Sequence, residues 1–121
     1  MMEEKELRKY DWNNPPSFAI PRSKEVQAVY DKNIKTDLHQ QFIQYVKTQV
    51  SKFQIVFIRN TYPYNVKPPI KHSCLWYQGV FTPEDVIGYL KSNKIEYITF
   101  FENQSEFKSI KSISHYHIFR Y

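Results

Sequence analysis

The sequence lacks several features that common protein classes require. Its 121 residues include one cysteine, Cys74, so no disulfide can form within the chain. No apolar run approaches the roughly 18 residues of a membrane-spanning helix. The charged start, MMEEKELRKYDWNN, has no apolar segment of the kind that a signal peptide contains. These absences predict a cytoplasmic or nuclear protein that is not secreted and has no membrane partner.

Charge of one sign is not concentrated in any part of the chain. The net charge is +5 and the isoelectric point about 9.2, but the lysines are scattered and form no block. A nucleic-acid-binding arm needs such a block, so we do not expect a nucleic acid as partner. A basic surface still suits a small anion. With only 2 glycines, 41% hydrophobic and 17% aromatic residues, the composition is typical of a folded globular domain.

The first 22 residues differ in composition from the rest. They are polar at the start and then interrupted by Pro15, Pro16 and Pro21. Proline fixes φ and removes a backbone donor, so residues 1–22 are predicted to form an extended N-terminal arm. Residues 23–121 contain no internal repeat and no low-complexity tract, and we interpret them as a single α+β domain.

Periodicity and residue type predict the elements of that domain. An apolar residue at every fourth position from Val26 to Val50 predicts one long helix that begins at Ser23, with a break near Asn33 left open. The run Thr82-Pro83-Glu84-Asp85 predicts the start of a short second helix. The segments FQIVFIRN, HSCLWYQ, IEYITFFE and SISHYHIFRY predict four strands. This order predicts an α+β fold with an antiparallel sheet.

Two predicted strands carry chemically interesting residues on one face. Side chains alternate along a strand, so one face of the last strand contains Ile113, His115, His117 and Phe119. By the same rule His72, Cys74 and Trp76 share a face of the second strand. A buried pair of histidines must find partners or stay neutral, which is costly. We therefore favour a functional pocket over simple burial for His115 and His117.

A metal site is one alternative for these faces. If the two strands were neighbours, a tetrahedral zinc site could be closed by His72, Cys74, His115 and His117. However, the HxC and HxH spacings differ from the close CxxC spacing of recognisable zinc modules. We therefore predict no cofactor and keep zinc as an alternative.

A reactive histidine is another alternative. A histidine that attacks phosphorus needs a hydrogen bond on its second ring nitrogen, a cradle for the anion and a proton donor for the leaving group. The polar loop before the last strand offers candidates for that cradle, namely Asn103, Ser109, Lys111 and Ser112. Tyr64 could stack on a base or sugar, or pack its turn onto the core, and Trp76 could wall the pocket or belong to the core.

The segment FIRNTYPYNVKPPIKHSCLWY, followed by ITFFENQSEFKSIKSISHYHIF, resembles the histidine-triad superfamily of nucleotide hydrolases and transferases over about the last 65 residues. The resemblance implies a histidine-triad-like core with His117 as nucleophile. It also implies Ser112 at the phosphate or leaving group and Asn103 at the ribose-phosphate end. The third histidine of the superfamily pattern is Phe119 here, and the loop lacks the glycines of the usual phosphate loop.

The motifs PRSKEVQAVYDK, YPYNVKPPIKHSCLWY and FFENQSEFKSIKSISHYHIF resemble a second family over roughly residues 16–121. This is a family of small proteins named for fungal N-acetylglucosamine-induced proteins. Its name describes induction and no reaction, so the resemblance implies a fold and site positions.

Together these features predict a pocket that binds a phosphorylated small molecule, either a nucleotide or a sugar phosphate. Its activity would be hydrolysis or transfer of a phosphoryl or nucleotidyl group through His117, oriented by His115 and His72. The phosphate would be received by Asn103, Ser109, Lys111 and Ser112. The alternative is a non-catalytic binding or assembly protein with a degenerate pocket, which Phe119 favours. A homodimer is left open.

Overall fold

The computed structural model describes residues 1–105, 108, 110 and 112–121. Its elements in chain order are α1 (Glu4–Leu7), α2 (Lys24–Asn33), α3 (Asp37–Phe53), β1 (Ile55–Arg59), β2 (Lys71–Tyr77), α4 (Pro83–Ser92), β3 (Tyr97–Phe101) and β4 (Ser114–Arg120). The predicted α+β class with an antiparallel sheet is confirmed. Over these described ranges, no helix is both long and apolar enough to cross a bilayer.

The four strands form one sheet in the order β1-β2-β4-β3, with every neighbouring pair antiparallel. Strand β4 therefore lies inside the sheet, between β2 and β3. In the β2–β4 register, Cys74 pairs with His117 and His72 pairs with Phe119. Directly paired residues lie on the same face of an antiparallel sheet, so the histidines of both strands meet on one side.

The two faces of the sheet are covered by different elements. On one face, α4 contributes Val86 and Leu90 to a buried cluster with Leu75, Phe100, Tyr116 and Ile118. On the histidine-bearing face, Val46 and Val50 of α3 pack with Cys74 and Trp76. This arrangement places the histidine-bearing face beneath a helical cover.

The prediction of one long helix from Ser23 is wrong, because the chain forms two helices at that place. Ser23 does begin α2, and its hydroxyl accepts from the backbone N–H of Val26 at 3.2 Å. A second cap, Thr36, then accepts from the backbone N–H of Leu38 at 3.3 Å and donates to the carbonyl of Asn33 at 2.7 Å. The second cap starts α3 afresh, so the break falls directly after Asn33.

The N-terminal residues differ from the extended arm that was expected. They contain helix α1, whose Leu7 is fully buried in a cluster with Phe101 and Phe119. The backbone of Met2 accepts from Lys67 and donates to Asn65, both at 2.8 Å. Apolar side chains therefore pack this N-terminal segment against the sheet. Helix α1 is too short to show a helical period in the sequence.

The predicted second helix is confirmed, including its start. Thr82 accepts from the backbone N–H of Asp85 at 3.2 Å, and the Asp85 carboxylate accepts from the backbone N–H of Thr82 at 2.9 Å. This reciprocal pair is a capping box, and Pro83 occupies the first turn of the helix.

Candidate functional site

A small cavity of about 50 Å³ lies between the histidine-bearing face of the sheet and the helical cover. Its floor is formed by Cys74 and Trp76 of β2 with His115 and His117 of β4, and its rim includes Arg22, Tyr30, Phe42, Tyr62, Tyr64 and Asn103. A single water needs about 10–15 Å³ measured in the same way. The cavity therefore has room for a group of a few non-hydrogen atoms, and any larger part of a ligand must lie at the rim.

A chain of hydrogen bonds behind the floor fixes the ring protons of two histidines. The backbone N–H of Tyr64 donates to Nδ1 of His72 at 3.0 Å, and Nε2 of His72 lies 2.7 Å from Nδ1 of His117. A backbone N–H can only donate, so the proton of a neutral His72 ring is on Nε2. His72 then donates to Nδ1 of His117, and the ring proton of a neutral His117 is on Nε2. We call this chain, from Tyr64 through His72 to His117, the histidine relay.

Burial keeps these rings neutral. It is the main cause that lowers the pKa of His72 to about 3 and that of His115 to about 4. It also lowers the pKa of His117 well below its ordinary value, and the positive charge of Arg22 acts in the same direction on His72 and His117. At neutral pH each ring therefore carries one proton, as the histidine relay requires.

Three buried nitrogens at the cavity have no hydrogen-bond partner within the described part of the chain. They are Trp76 Nε1, His115 Nδ1 and His117 Nε2. An indole nitrogen can only donate, and the relay makes His117 Nε2 a donor as well. An unpartnered buried donor costs about 1–3 kcal/mol. The floor of the cavity therefore suits a guest that accepts hydrogen bonds.

The residues around the cavity add positive charge. Arg22 lines it, and its described lining residues include no aspartate or glutamate. Arg59 is also on the lining, but it pairs with Ser73, so its side chain points to the other face of the sheet. Arg22 is held in place, because its Nε donates to the carbonyl of Tyr62 at 2.8 Å and its guanidinium lies 4.3 Å from the ring centre of Tyr30. In the sequence, Arg22 stood out only as part of the PRSKEVQAVYDK motif. No local pattern predicts that this residue, which precedes α2, lies at the same cavity as β2 and β4.

The structure brings together most of the predicted site residues that it describes. His115, His117, Trp76, Tyr64 and Asn103 line the cavity, and His72 lies behind His117 in the relay. Asn103 donates from Nδ2 to the Tyr64 hydroxyl at 2.8 Å, which ties the end of β3 to the rim.

One predicted phosphate ligand that the structure describes does not join this group. Ser112 is exposed and lies beside Lys47 and Gln78 on a separate surface depression. Ser109 and Lys111 lie outside the described residues. The polar groups that the described residues bring to the cavity include the ring nitrogens and the Arg22 guanidinium.

The geometry of the zinc alternative can be compared with that of the relay. Ligand atoms of His72, Cys74 and His117 lie within 4.8 Å of one another, and His115 does not belong to this group. Two nitrogens on one tetrahedral zinc would be about 3.3 Å apart, given bonds of roughly 2.0–2.1 Å. The 2.7 Å between the two histidine nitrogens is instead a hydrogen-bond distance. Burial also raises the pKa of the Cys74 thiol to about 12, which disfavours the thiolate that a metal binds.

The residue at the third histidine position has a structural role. Phe119 is fully buried, and its ring stacks on His72 with centroids 4.9 Å apart and planes 12° apart. It lies beneath Tyr64 and next to Phe101 and is not among the residues that line the cavity. Phe119 therefore supports the relay from behind and does not contact the space where a guest would bind.

No protein-family model matches the sequence, and no curated protein matches it. Among solved structures, the chain is similar to one described as "Crystal Structure of HTC1", with a TM-score of 0.58 and 16% sequence identity. The match covers 84% of this chain and 76% of that chain. At this level of identity the similarity concerns the fold alone.

Proposed function

We propose that the pocket binds the phosphoryl group of a small phosphorylated molecule. The observation that carries this proposal is the set of three unpartnered buried nitrogens on Trp76, His115 and His117, in a cavity that Arg22 lines. Phosphoryl oxygens accept several hydrogen bonds at once and carry the negative charge that arginines attract. A phosphoryl group also has few enough atoms for a cavity of about 50 Å³.

The rest of the ligand would lie at the rim. Tyr30, Phe42 and Tyr62 line the cavity there and offer aromatic surface to a base or a sugar ring. The Arg22 guanidinium lies over Tyr30, so a stacked ring and its phosphate would both be near a positive charge. Either a nucleotide or a sugar phosphate is compatible with this rim.

Binding without reaction is the version of the proposal that the relay favours. A nucleophilic histidine must present a lone pair, whereas a neutral His117 held by His72 carries its proton on Nε2. Hydrolysis or transfer through His117 is the second candidate, because the hydrogen bond between His72 and Nδ1 of His117 leaves Nε2 of His117 without a partner. It would require the ring protons of both histidines to move.

Calorimetry with AMP and glucosamine 6-phosphate tests the binding proposal. We expect at least one of them to bind the wild-type protein, and we expect Trp76→Phe to weaken that binding about tenfold by removing one N–H donor. Ser112→Ala is the matched control, because Ser112 lies outside the cavity and its replacement should leave the affinity unchanged. Absence of binding to both compounds would refute the proposal.

Adenosine phosphoramidate separates the two candidates. Equal hydrolysis rates for the wild type and His117→Ala would exclude catalysis by His117, whereas a much slower variant would support the second candidate. Elemental analysis of the same preparation decides the zinc alternative, because stoichiometric zinc is incompatible with an intact relay.

A further inference from the structure

We infer that the floor of the pocket is a hydrogen-bond donor site for oxyanions, set by His72, and that it accepts sulfuryl groups as well as phosphoryl groups. This inference rests on the proposed function for the position of the ligand. It adds the ligand's chemical class and gives His72 the role of a positioning residue.

The first step is the fixed direction of the relay. The backbone N–H of Tyr64 cannot reverse, so both ring nitrogens of His72 have assigned roles and so does Nδ1 of His117. His72 thereby determines that His117 presents an N–H at Nε2. His72 is 1% exposed and does not line the cavity, so it acts on a guest only through His117.

The second step is the character of the neighbouring groups. Trp76 Nε1 always donates, and the neutral His115 ring carries one proton, on either Nδ1 or Nε2. The Trp76 and His115 rings stack 4.1 Å apart, which holds both at the floor. Arginine side chains are also donors only, and Arg22 is on the lining.

The third step concerns the guest. The groups of Trp76, His117 and Arg22 at this site all donate hydrogen bonds to the guest. Binding therefore does not depend on whether the guest itself has a proton to donate. The sulfuryl group of a sulfate ester has three terminal oxygens in nearly the same tetrahedral arrangement as a phosphate monoester, and these oxygens only accept. It should therefore satisfy the same nitrogens, with a moderate loss because its charge is one unit smaller.

Adenosine 5′-sulfate and AMP form the matched ligand pair, since they differ only in the terminal group. At pH 7.5 we expect calorimetry to show binding of both, with the sulfate weaker by no more than about tenfold. If AMP binds and the sulfate is weaker by a hundredfold or more, this inference is overturned while the proposed function stands. If AMP does not bind and glucosamine 6-phosphate does, glucosamine 6-sulfate and that sugar phosphate form the matched pair, with the same limits. If neither AMP nor glucosamine 6-phosphate binds, both the inference and the proposed function are overturned.

Nuclear magnetic resonance of the ligand-free protein tests the relay independently. Long-range ¹H–¹⁵N correlation spectra of the ¹⁵N-labelled protein should show His117 as the neutral Nε2–H tautomer. A spectrum with the proton on Nδ1 would overturn the inference, whatever the calorimetry shows.

Two variants of His72 test its positioning role. In His72→Gln, the amide can accept from Tyr64 and donate to His117, so the His117 tautomer and the AMP affinity should be kept within about threefold. In His72→Phe, both contacts are lost, and we expect a mixture of His117 tautomers and about tenfold weaker binding. An unchanged tautomer and affinity in His72→Phe would overturn the role assigned to His72, and Trp76→Phe provides a comparison in which the relay is intact.

Discussion

Acidification should destabilise the folded protein strongly between pH 7 and pH 5. The folded-state pKa is lowered to about 3 for His72 and to about 4 for His115, from an ordinary value of 6.5. Below pH 6.5 these histidines therefore bind protons in the unfolded chain but not in the folded chain. The free energy of unfolding then falls as the pH falls. At pH 5 the difference is about 1.5 pH units for each ring, which corresponds to about 2 kcal/mol per ring.

The two rings together lower the free energy of unfolding by about 4 kcal/mol, and His117 acts in the same direction. A domain of this size typically has about 5–15 kcal/mol in total, so the loss is large. Urea unfolding followed by tryptophan fluorescence at pH 7, 6 and 5 measures it. In His115→Phe, the decrease between pH 7 and pH 5 should be about 2 kcal/mol smaller. A wild-type decrease below about 1 kcal/mol would refute the description of these histidines as buried, neutral groups.

Three further predictions concern single side chains. His72→Phe should lower the free energy of unfolding at pH 7 by about 3 kcal/mol, measured by urea unfolding, because it leaves two buried polar groups unpartnered. Cys74 is 2% exposed and the pKa of its thiol is raised to about 12, so it should react with a thiol reagent only after unfolding. Thr82→Ala should cost about 1 kcal/mol in thermal or urea unfolding, because it removes the cap of α4.

Each of these predictions has a result that would contradict it. For His72→Phe, the contradicting result is a free energy of unfolding equal to that of the wild type. His72→Gln should have a free energy of unfolding between those of the wild type and His72→Phe. For Cys74 it is rapid labelling in native buffer at pH 7, with the urea-unfolded protein as the positive control. For Thr82→Ala it is a loss no larger than that of the exposed control Lys91→Ala.

Local signals were sufficient for most elements of the fold. The Thr82 cap and the β-branched strand segments act over a few residues, and the structure confirms α4 and all four strands. The break between α2 and α3 was left open and not predicted, because Tyr30, Ile34 and Leu38 continue the four-residue spacing across it. The period does not change there, and only the Thr36 cap reveals a new helix.

The site was less predictable, because its geometry depends on contacts between distant parts of the chain. Strand alternation correctly placed His72 with Cys74, and His115 with His117, on shared faces. The hydrogen bond between His72 and His117 depends on the β2–β4 register, which joins residues 45 positions apart. Arg22 reaches the cavity through the packing of the N-terminal residues and α2, which no short sequence window contains.

The position of β4 inside the sheet has a consequence for incomplete chains. Seven residues, Ser114–Arg120, bridge β2 and β3 and also bring two histidines to the cavity floor. A chain cut before Ser114 would leave β2 and β3 with open edges, which invite pairing with other molecules. It would lose the proposed binding site in the same step. Binding at the proposed site would thus report that the last strand has been inserted, and it would separate correctly closed molecules from truncated or misassembled ones.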